Sequence, residues 1–223
     1  MKKIFTLIAA AVMAVTASAE TYTLDNQAST YVIVEGGTAS TYTMDGVEGF
    51  AVNTEGGTQM TLALAANQNI YFTYSNSSSK TPAVKTGANF MQCDSKNFVI
   101  NVPLEADEMV IVKFSAKGSA PQLGLYGSST TENCTTTDDS QSTCSGKSID
   151  DAVEFKAVAS KKCTAQIKET ANGMRIYSIT IGTATGISDI DAPAETTGKK
   201  ITKVAKNGQL TIGNYNIAGQ RIK

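Results

Sequence analysis

The sequence predicts an all-β protein, an antiparallel β-sandwich of jelly-roll type carried behind an export signal. Three observations predict the fold. Apolar stretches alternate with period two, as in Tyr31-Val32-Ile33-Val34, Thr58-Gln59-Met60-Thr61-Leu62-Ala63-Leu64 and Ile70-Tyr71-Phe72-Thr73-Tyr74, the spacing at which successive side chains of a strand point to opposite faces. Turn-forming Gly, Asn, Asp, Ser and Pro separate many of these stretches at short intervals. No amphipathic helical pattern intervenes, so sheets packed face to face remain as the architecture that buries the apolar faces.

In chain order, Lys2 and Lys3 precede an apolar run from Ile4 to Val15 that reaches Ala17-Ser18-Ala19 before Glu20. This is the order of parts in a cleavable signal peptide over residues 1–19, and the run is shorter than a bilayer span requires. No cysteine follows at the cleavage point to accept a lipid, and no later run is long enough to span a membrane. Strands are expected next at 31–34, 58–64, 70–74, 98–102, 109–116, 122–126, 152–157, 163–169 and 174–181, giving a sandwich domain over 20–182, with 20–90 and 91–182 as conceivable subregions. Phe98, Phe114, Phe155 and Ile179 fall at core positions by alternation. Glu35-Gly36-Gly37-Thr38 and Glu55-Gly56-Gly57-Thr58 recur twenty residues apart, which two Gly-Gly hairpin turns explain without a duplicated unit. After Gly182 the composition turns to Thr, Ala, Asp and Gly with little to bury, a linker over 183–200. In the tail, 201–223, Asn207-Gly208 sits between Lys203-Val204-Ala205 and Gln209-Leu210-Thr211-Ile212 as a hairpin turn would.

Four cysteines, Cys93, Cys134, Cys144 and Cys163, follow the signal, and an even count in an exported chain suggests two disulfides. Three pairings are open. The Thr/Asp/Ser-rich stretch between Cys134 and Cys144 favours joining those two, which leaves Cys93 for Cys163. A zinc site is disfavoured by the absence of CxxC spacing and of histidine.

The absence of histidine also excludes Ser-His-Asp and Cys-His nucleophiles, a histidine base and the usual zinc hydrolase centres. A glycosidase working with two carboxylates could draw on Asp138-Asp139, Asp150-Asp151 or Glu105 to Glu108, but acids in Ser/Thr-rich loops are ordinarily solvated. No cofactor is expected; a structural calcium would find oxygen donors at 135–140 and at Asp150-Asp151, without a DxDxDG-type loop. Of the 19 Lys and Arg residues, 17 remain once Lys2 and Lys3 are removed, against 20 Asp and Glu, with no basic block. Nucleic acid is therefore not expected as a partner. What remains is binding. Sugars are gripped by aromatic faces and planar polar groups, and without tryptophan the candidate ligand-binding residues are Tyr126, Gln122, Tyr71 and Tyr74, with Tyr42 a further platform. Tyr71 and Tyr74 lie on opposite faces of one strand, so at most one faces the core. The segment Pro121-Gln122-Leu123-Gly124-Leu125-Tyr126-Gly127 would present Tyr126 on a surface opened by glycine.

Two stretches resemble known families. Lys206 to Lys223, above all Tyr215-Asn216-Ile217-Ala218-Gly219-Gln220-Arg221, resembles the C-terminal sorting tails of type IX secretion substrates. That resemblance implies a Gram-negative exported protein, secreted or held at the outer-membrane surface through contact with the secretion machinery. The strands that follow the Gly-Gln-Arg segment in that family are missing, and a tail that no longer sorts would leave the protein periplasmic. Asn97-Phe98-Val99-Ile100-Asn101-Val102-Pro103 through Met174-Arg175-Ile176-Tyr177-Ser178-Ile179-Thr180-Ile181 resembles the β-sandwich modules appended to secreted polysaccharide-degrading enzymes such as pectate lyases. It implies a carbohydrate-binding-module-like fold and carries over no binding residue. The expected function is thus a non-catalytic secreted or cell-surface module for polysaccharide or surface glycan. The alternatives are a structural or adhesive surface protein and, third, a carboxylate-only polysaccharide-active enzyme.

Overall fold

Alternating burial along the strands sorts the chain into two antiparallel sheets. A computed structural model describes residues 19–54, 59–75, 83–93 and 97–183, and the backbone of 203–206, 209–212 and 215–216. Sheet A contains β1 (Glu20–Thr23), β3 (Gly37–Met44), β4 (Val47–Thr54), β7 (Val84–Gly87), β8 (Phe90–Cys93), β10 (Glu108–Ala116), β12 (Cys134–Thr136), β13 (Val153–Ala159) and β15 (Met174–Thr183). Sheet B contains β2 (Tyr31–Glu35), β5 (Gln59–Leu64), β6 (Tyr71–Ser75), β9 (Phe98–Leu104), β11 (Leu123–Leu125) and β14 (Cys163–Glu169). In space sheet A runs β12-β13-β10-β15-β8-β7-β4-β3, with β1 beside β15, and sheet B runs β11-β14-β9-β6-β5-β2. Strands on either side of residue 90 enter both sheets, so 20–90 and 91–182 share one core and are not separate sheet pairs.

The core is the sum of the inner faces. Val110, Val112, Phe114, Phe155, Ile176 and Ile179 from sheet A belong to the same buried cluster as Leu62, Phe72, Phe98, Ile100 and Ile167 from sheet B. Phe72 and Phe98, on neighbouring strands, stack at 5.5 Å between ring centroids, and Tyr31 stacks on Phe50 at 5.5 Å with planes 3° apart. Side chains of this kind contribute about 1.5–3 kcal/mol each on full burial.

Several strands arise from sequence that carries no strong apolar alternation. β3, Gly-Thr-Ala-Ser-Thr-Tyr-Thr-Met, is largely exposed and forms because Asp45 (φ 52°) and Gly46 (φ 80°) close a two-residue turn onto β4, with Met44 opposite Val47. Successive positive φ values are what such a hairpin demands. Gly36 does something different from the hairpin expected of Gly36-Gly37. β2 pairs with β5 and β3 with β4, so Gly36 carries the chain from one sheet to the other. It adopts φ 67°, and a Cβ there would sit 1.9 Å from the Gln59 carbonyl oxygen. Gly56-Gly57 lies outside the described residues, as do residues 1–18, the linker from 184 to 200, and residues 201–202 of the tail.

The expected disulfides are corrected by the structure. Neither of the two expected links is formed. The stretch after Cys134 is no floppy loop: Thr137 N bonds Lys156 O, Gln141 N bonds Glu154 O, and Ser142 O accepts from Leu123 N. The chain thus runs along β13 and leaves Cys144 with its thiol directed to the Asp151 carbonyl, 3.3 Å away. Cys93 is buried with its sulfur 3.4 Å from Glu169 Oε2, not beside Cys163. Cys134 instead lies against Cys163, their Sγ atoms 3.1 Å apart.

The C-terminal unit holds a small antiparallel sheet. β16 (Lys203–Lys206) pairs antiparallel with β17 (Gln209–Ile212), Lys206 opposite Gln209, and β17 pairs with β18 (Tyr215–Asn216). A third strand is added to the expected hairpin.

Sheet A is extended past its short β4–β7 ladder by a side chain. Only Ala51–Lys85 and Val52–Val84 are paired there. At the next position the fully buried Thr86 takes both roles, its Oγ1 accepting from Phe50 N at 2.8 Å and donating to Phe50 O at 3.0 Å. Gly49 permits this, since a Cβ there would lie 2.7 Å from Thr86 Oγ1. Thr86→Val keeps the shape but leaves two buried backbone groups unpaired. The expected loss is about 1–3 kcal/mol of unfolding free energy in a urea titration; a variant as stable as the parent would contradict this account of the β4–β7 seam.

Candidate functional site

The outer face of sheet B is polar where its inner face is apolar, and strand register decides what meets there. On β14, Ala165 and Ile167 point into the core while Gln166 and Lys168 stay half-buried on the other side. The pairing places Lys168 opposite Val99, Val99 opposite Thr73, and Thr73 opposite Thr61. One residue row away, Gln166 faces Asn101 and Asn101 faces Tyr71. Gln166 Nε2 donates to Asn101 Oδ1 at 3.1 Å, and Asn101 Nδ2 reaches the Tyr71 carbonyl at 3.3 Å. The amide pair therefore stiffens the centre of the face, the ordinary requirement for buried polar groups.

At the edge strand β11, Gln122, Gly124 and Tyr126 share the outer face by alternation, while Leu123 is buried. Tyr126 N extends the ladder by bonding Gln166 O at 2.8 Å. The residue is 48% exposed, and Lys168 Nζ lies over its ring, 4.3 Å from the centroid, within the range of cation–π attraction. A Cβ on Gly124 would meet nothing within 4 Å, so the surface beside the ring is open. Immediately after it Gly127 takes φ 83° and begins α1 (Ser128–Asn133). A side chain at Gly127 would press on Gln166 Oε1, 2.5 Å from the Cβ position. Thr130 of α1 then protects the exposed edge of β14, its Oγ1 accepting from Gln166 N at 3.1 Å and donating to Thr164 O at 3.1 Å.

Tyr126 and Lys168 flank a hollow of about 180 Å³ whose other walls include Val99, Thr73, Gln59 and Asn97. It offers one exposed aromatic ring, an ammonium group, and hydroxyl and amide side chains. This combination can stack on an apolar ring face and hydrogen-bond to surrounding hydroxyls; among the described residues that line it there is no carboxylate.

The four residues expected to bind ligand part company here. Tyr126 lines the hollow. Tyr71 is on the same outer face, half-buried in the row of Asn101 and Gln166. Gln122 is exposed at the edge, its Oε1 3.4 Å from Thr170 Oγ1, and is not among the residues around the hollow. Tyr74 is among the residues around the hollow, as Tyr71 is not, but it is paired with Met60 and Phe98 on the inward face and is 2% exposed, so it offers the hollow little ring surface. Tyr42 is half-buried on β3 with Lys85 Nζ 4.9 Å from its ring centroid. Lys168, Thr73 and Gln166 were not foreseen. The alternation Thr164-Gln166-Lys168 against Ala165-Ile167 marks which face of β14 they occupy, but only cross-strand register brings them to Tyr126.

A larger hollow of about 470 Å³ is lined by Asn26, Gln27, Ala39, Thr41, Glu48 and Phe50, among others. Its one aromatic residue, Phe50, is 8% exposed and already stacked on Tyr31. It lacks a free ring face.

Four of the acids weighed for catalysis, Asp139, Asp151, Glu105 and Glu108, are engaged in local structure. Asp139 accepts from Lys156 Nζ at 2.7 Å and from Thr137 Oγ1 at 2.6 Å, and the Lys156 bond, then that of Thr137, holds its carboxyl below the usual range. Asp151 accepts from Ser148 Oγ at 2.7 Å, which lowers its carboxyl as well. Glu108 closes the β9–β10 turn by accepting from Glu105 N at 2.8 Å, and Glu105 pairs with Lys162 at 2.5 Å. Among the described residues no three Cys, Asp or Glu side chains are grouped so as to hold a metal ion.

No protein-family model and no curated protein matches the chain. Among solved structures, a carbohydrate binding module from Cellvibrio mixtus lichenase 5A, in complex with cellotriose, is similar. It is 11% identical with a TM-score of 0.25, over 74% of this chain and 96% of that one. At that level the likeness lends no residue and no geometry to the site, which stands on its own contacts. Among the described residues no helix is long and apolar enough to cross a membrane.

Proposed function

We propose that the chain is a non-catalytic glycan-binding module whose platform is Tyr126 on the outer face of sheet B. The observation that carries this reading is the half-exposed Tyr126 ring, backed by Lys168 and set beside a hollow of hydroxyl and amide groups. A pyranose presents one apolar face to such a ring and a rim of hydroxyls to such neighbours. Removal of the ring should be costly because buried tyrosines commonly dominate the binding energy of a small contact. On a glycan array, followed by calorimetry on the best oligosaccharide, Tyr126→Ala should weaken binding at least about tenfold. Its unfolding midpoint should stay close to that of the parent. No glycan bound by the wild-type protein, or equal binding by both proteins, would leave the structural or adhesive reading in its place.

The place of action follows from the two ends of the chain. We propose that residues 1–19 direct export and that 201–223 is read by the secretion machinery of a Gram-negative outer membrane, which would put the binding face before extracellular or surface polysaccharide. Intact mass of protein recovered from medium, outer membrane and periplasm tests this. The expected species begins at Glu20 and is found in the medium or on the outer membrane; a periplasmic species that begins at Glu20 and retains Lys223 would contradict sorting, and one beginning at Met1 would contradict export.

A further inference from the structure

The turn between β13 and β14 is where the chain passes from sheet A to sheet B, and only residues 160–162 make the passage. β12 pairs with the last residues of β13, Cys134 opposite Ala159. The start of β12 therefore stands across the turn from the start of β14, which is Cys163. The surroundings are held on both sides: Ser160 N donates to Asn133 O at 2.7 Å, and Thr130 ties α1 to β14. In this frame the two sulfurs lie 3.1 Å apart, Cys134 2% exposed and Cys163 half-buried. The other two thiols are each placed against oxygen, Cys144 at Asp151 O and Cys93 at Glu169 Oε2.

We propose that Cys134 and Cys163 become a disulfide that fastens the edge of sheet A to the first residue of β14 in sheet B. An S–S bond of ~2.0 Å requires the sulfurs to close by only about 1 Å. The oxidant is an external disulfide, of the glutathione class or on a thiol–disulfide oxidoreductase. Burial, reinforced by the contact with Cys163, pushes the Cys134 thiol up to about 12, so the more accessible Cys163 enters first. Its thiolate attacks one oxidant sulfur and expels the other as a thiolate, leaving a mixed disulfide on Cys163. Cys134 then gives up its proton and attacks the Cys163 sulfur, releasing the second oxidant thiol. One S–S bond breaks in the oxidant as one forms in the protein, which loses two protons and two electrons; the oxidant is reduced to two thiols. The link closes a loop that holds β12 and β13 and anchors the end of α1, the segment that follows Tyr126. It stands whether or not sheet B binds glycan.

The test is disulfide mapping of the full chain after exposure to oxidised glutathione, with alkylation, denaturation, a second distinguishable alkylation and digestion without reductant. The expected product joins the Cys134 and Cys163 peptides, with Cys93 and Cys144 alkylated. In the same oxidised sample reductant should lower Tm by roughly 6–12 °C. Cys134→Ser and Cys163→Ser should each abolish that response. A Cys134–Cys144 or Cys93–Cys163 link, or four alkylated cysteines, would overturn the proposal.

Discussion

The whole arrangement depends on the central pairing of β10 with β15. Val110 faces Ile181, Val112 faces Ile179 and, past a register shift at Lys113/Phe114, Phe114 faces Ile176. This ladder lies in the middle of sheet A, and β15 extends it, since its far side is shared by β1 at residues 178–181 and by β8 at 174–176. The aromatic and branched residues of sheet B, Phe72, Phe98, Ile100 and Ile167, close over it. Once that interior is dry, strand alternation leaves no freedom on the other side: every outward position of β14, β9 and β6 is fixed by the inward one beside it.

That constraint explains why the proposed binding surface can be polar and still ordered. The Gln166–Asn101 amide pair and the Thr130 cap on β14 satisfy the groups which burial would otherwise penalise. Tyr126 follows the edge strand, where a ring can stay half-exposed, and Gly124 leaves the surface beside it open. The proposed Cys134–Cys163 link would act on the same side of the sandwich, at the far end of α1.

Where the sequence carried strong apolar alternation, as at Ile70–Tyr74 or Met109–Ala116, it could be read directly into strands and core. Phe98, Phe114, Phe155 and Ile179 are all buried. β3 and β7 escaped notice because their stability comes from neighbours: a Thr-rich edge held by the Asp45-Gly46 turn and a short strand completed by Thr86. The same limit applied to the site. Parity along β6 showed that Tyr71 and Tyr74 could not both face outward, but not which one did. Lys168 and Thr73 meet Tyr126 through a register spanning three strands, and the sulfur of Cys134 meets that of Cys163 through a turn between sheets. Loop composition favoured Cys144 because it records separation along the chain, whereas the sheets decide separation in space.

The central claim is that ligand is held on the outer face of sheet B at Tyr126. Amide and side-chain NMR during titration with the oligosaccharide best bound by the protein tests it most directly. The account predicts shifts concentrated at Tyr126, Lys168, Val99 and Thr73. Shifts confined instead to the hollow at Asn26, Thr41 and Glu48 would contradict it.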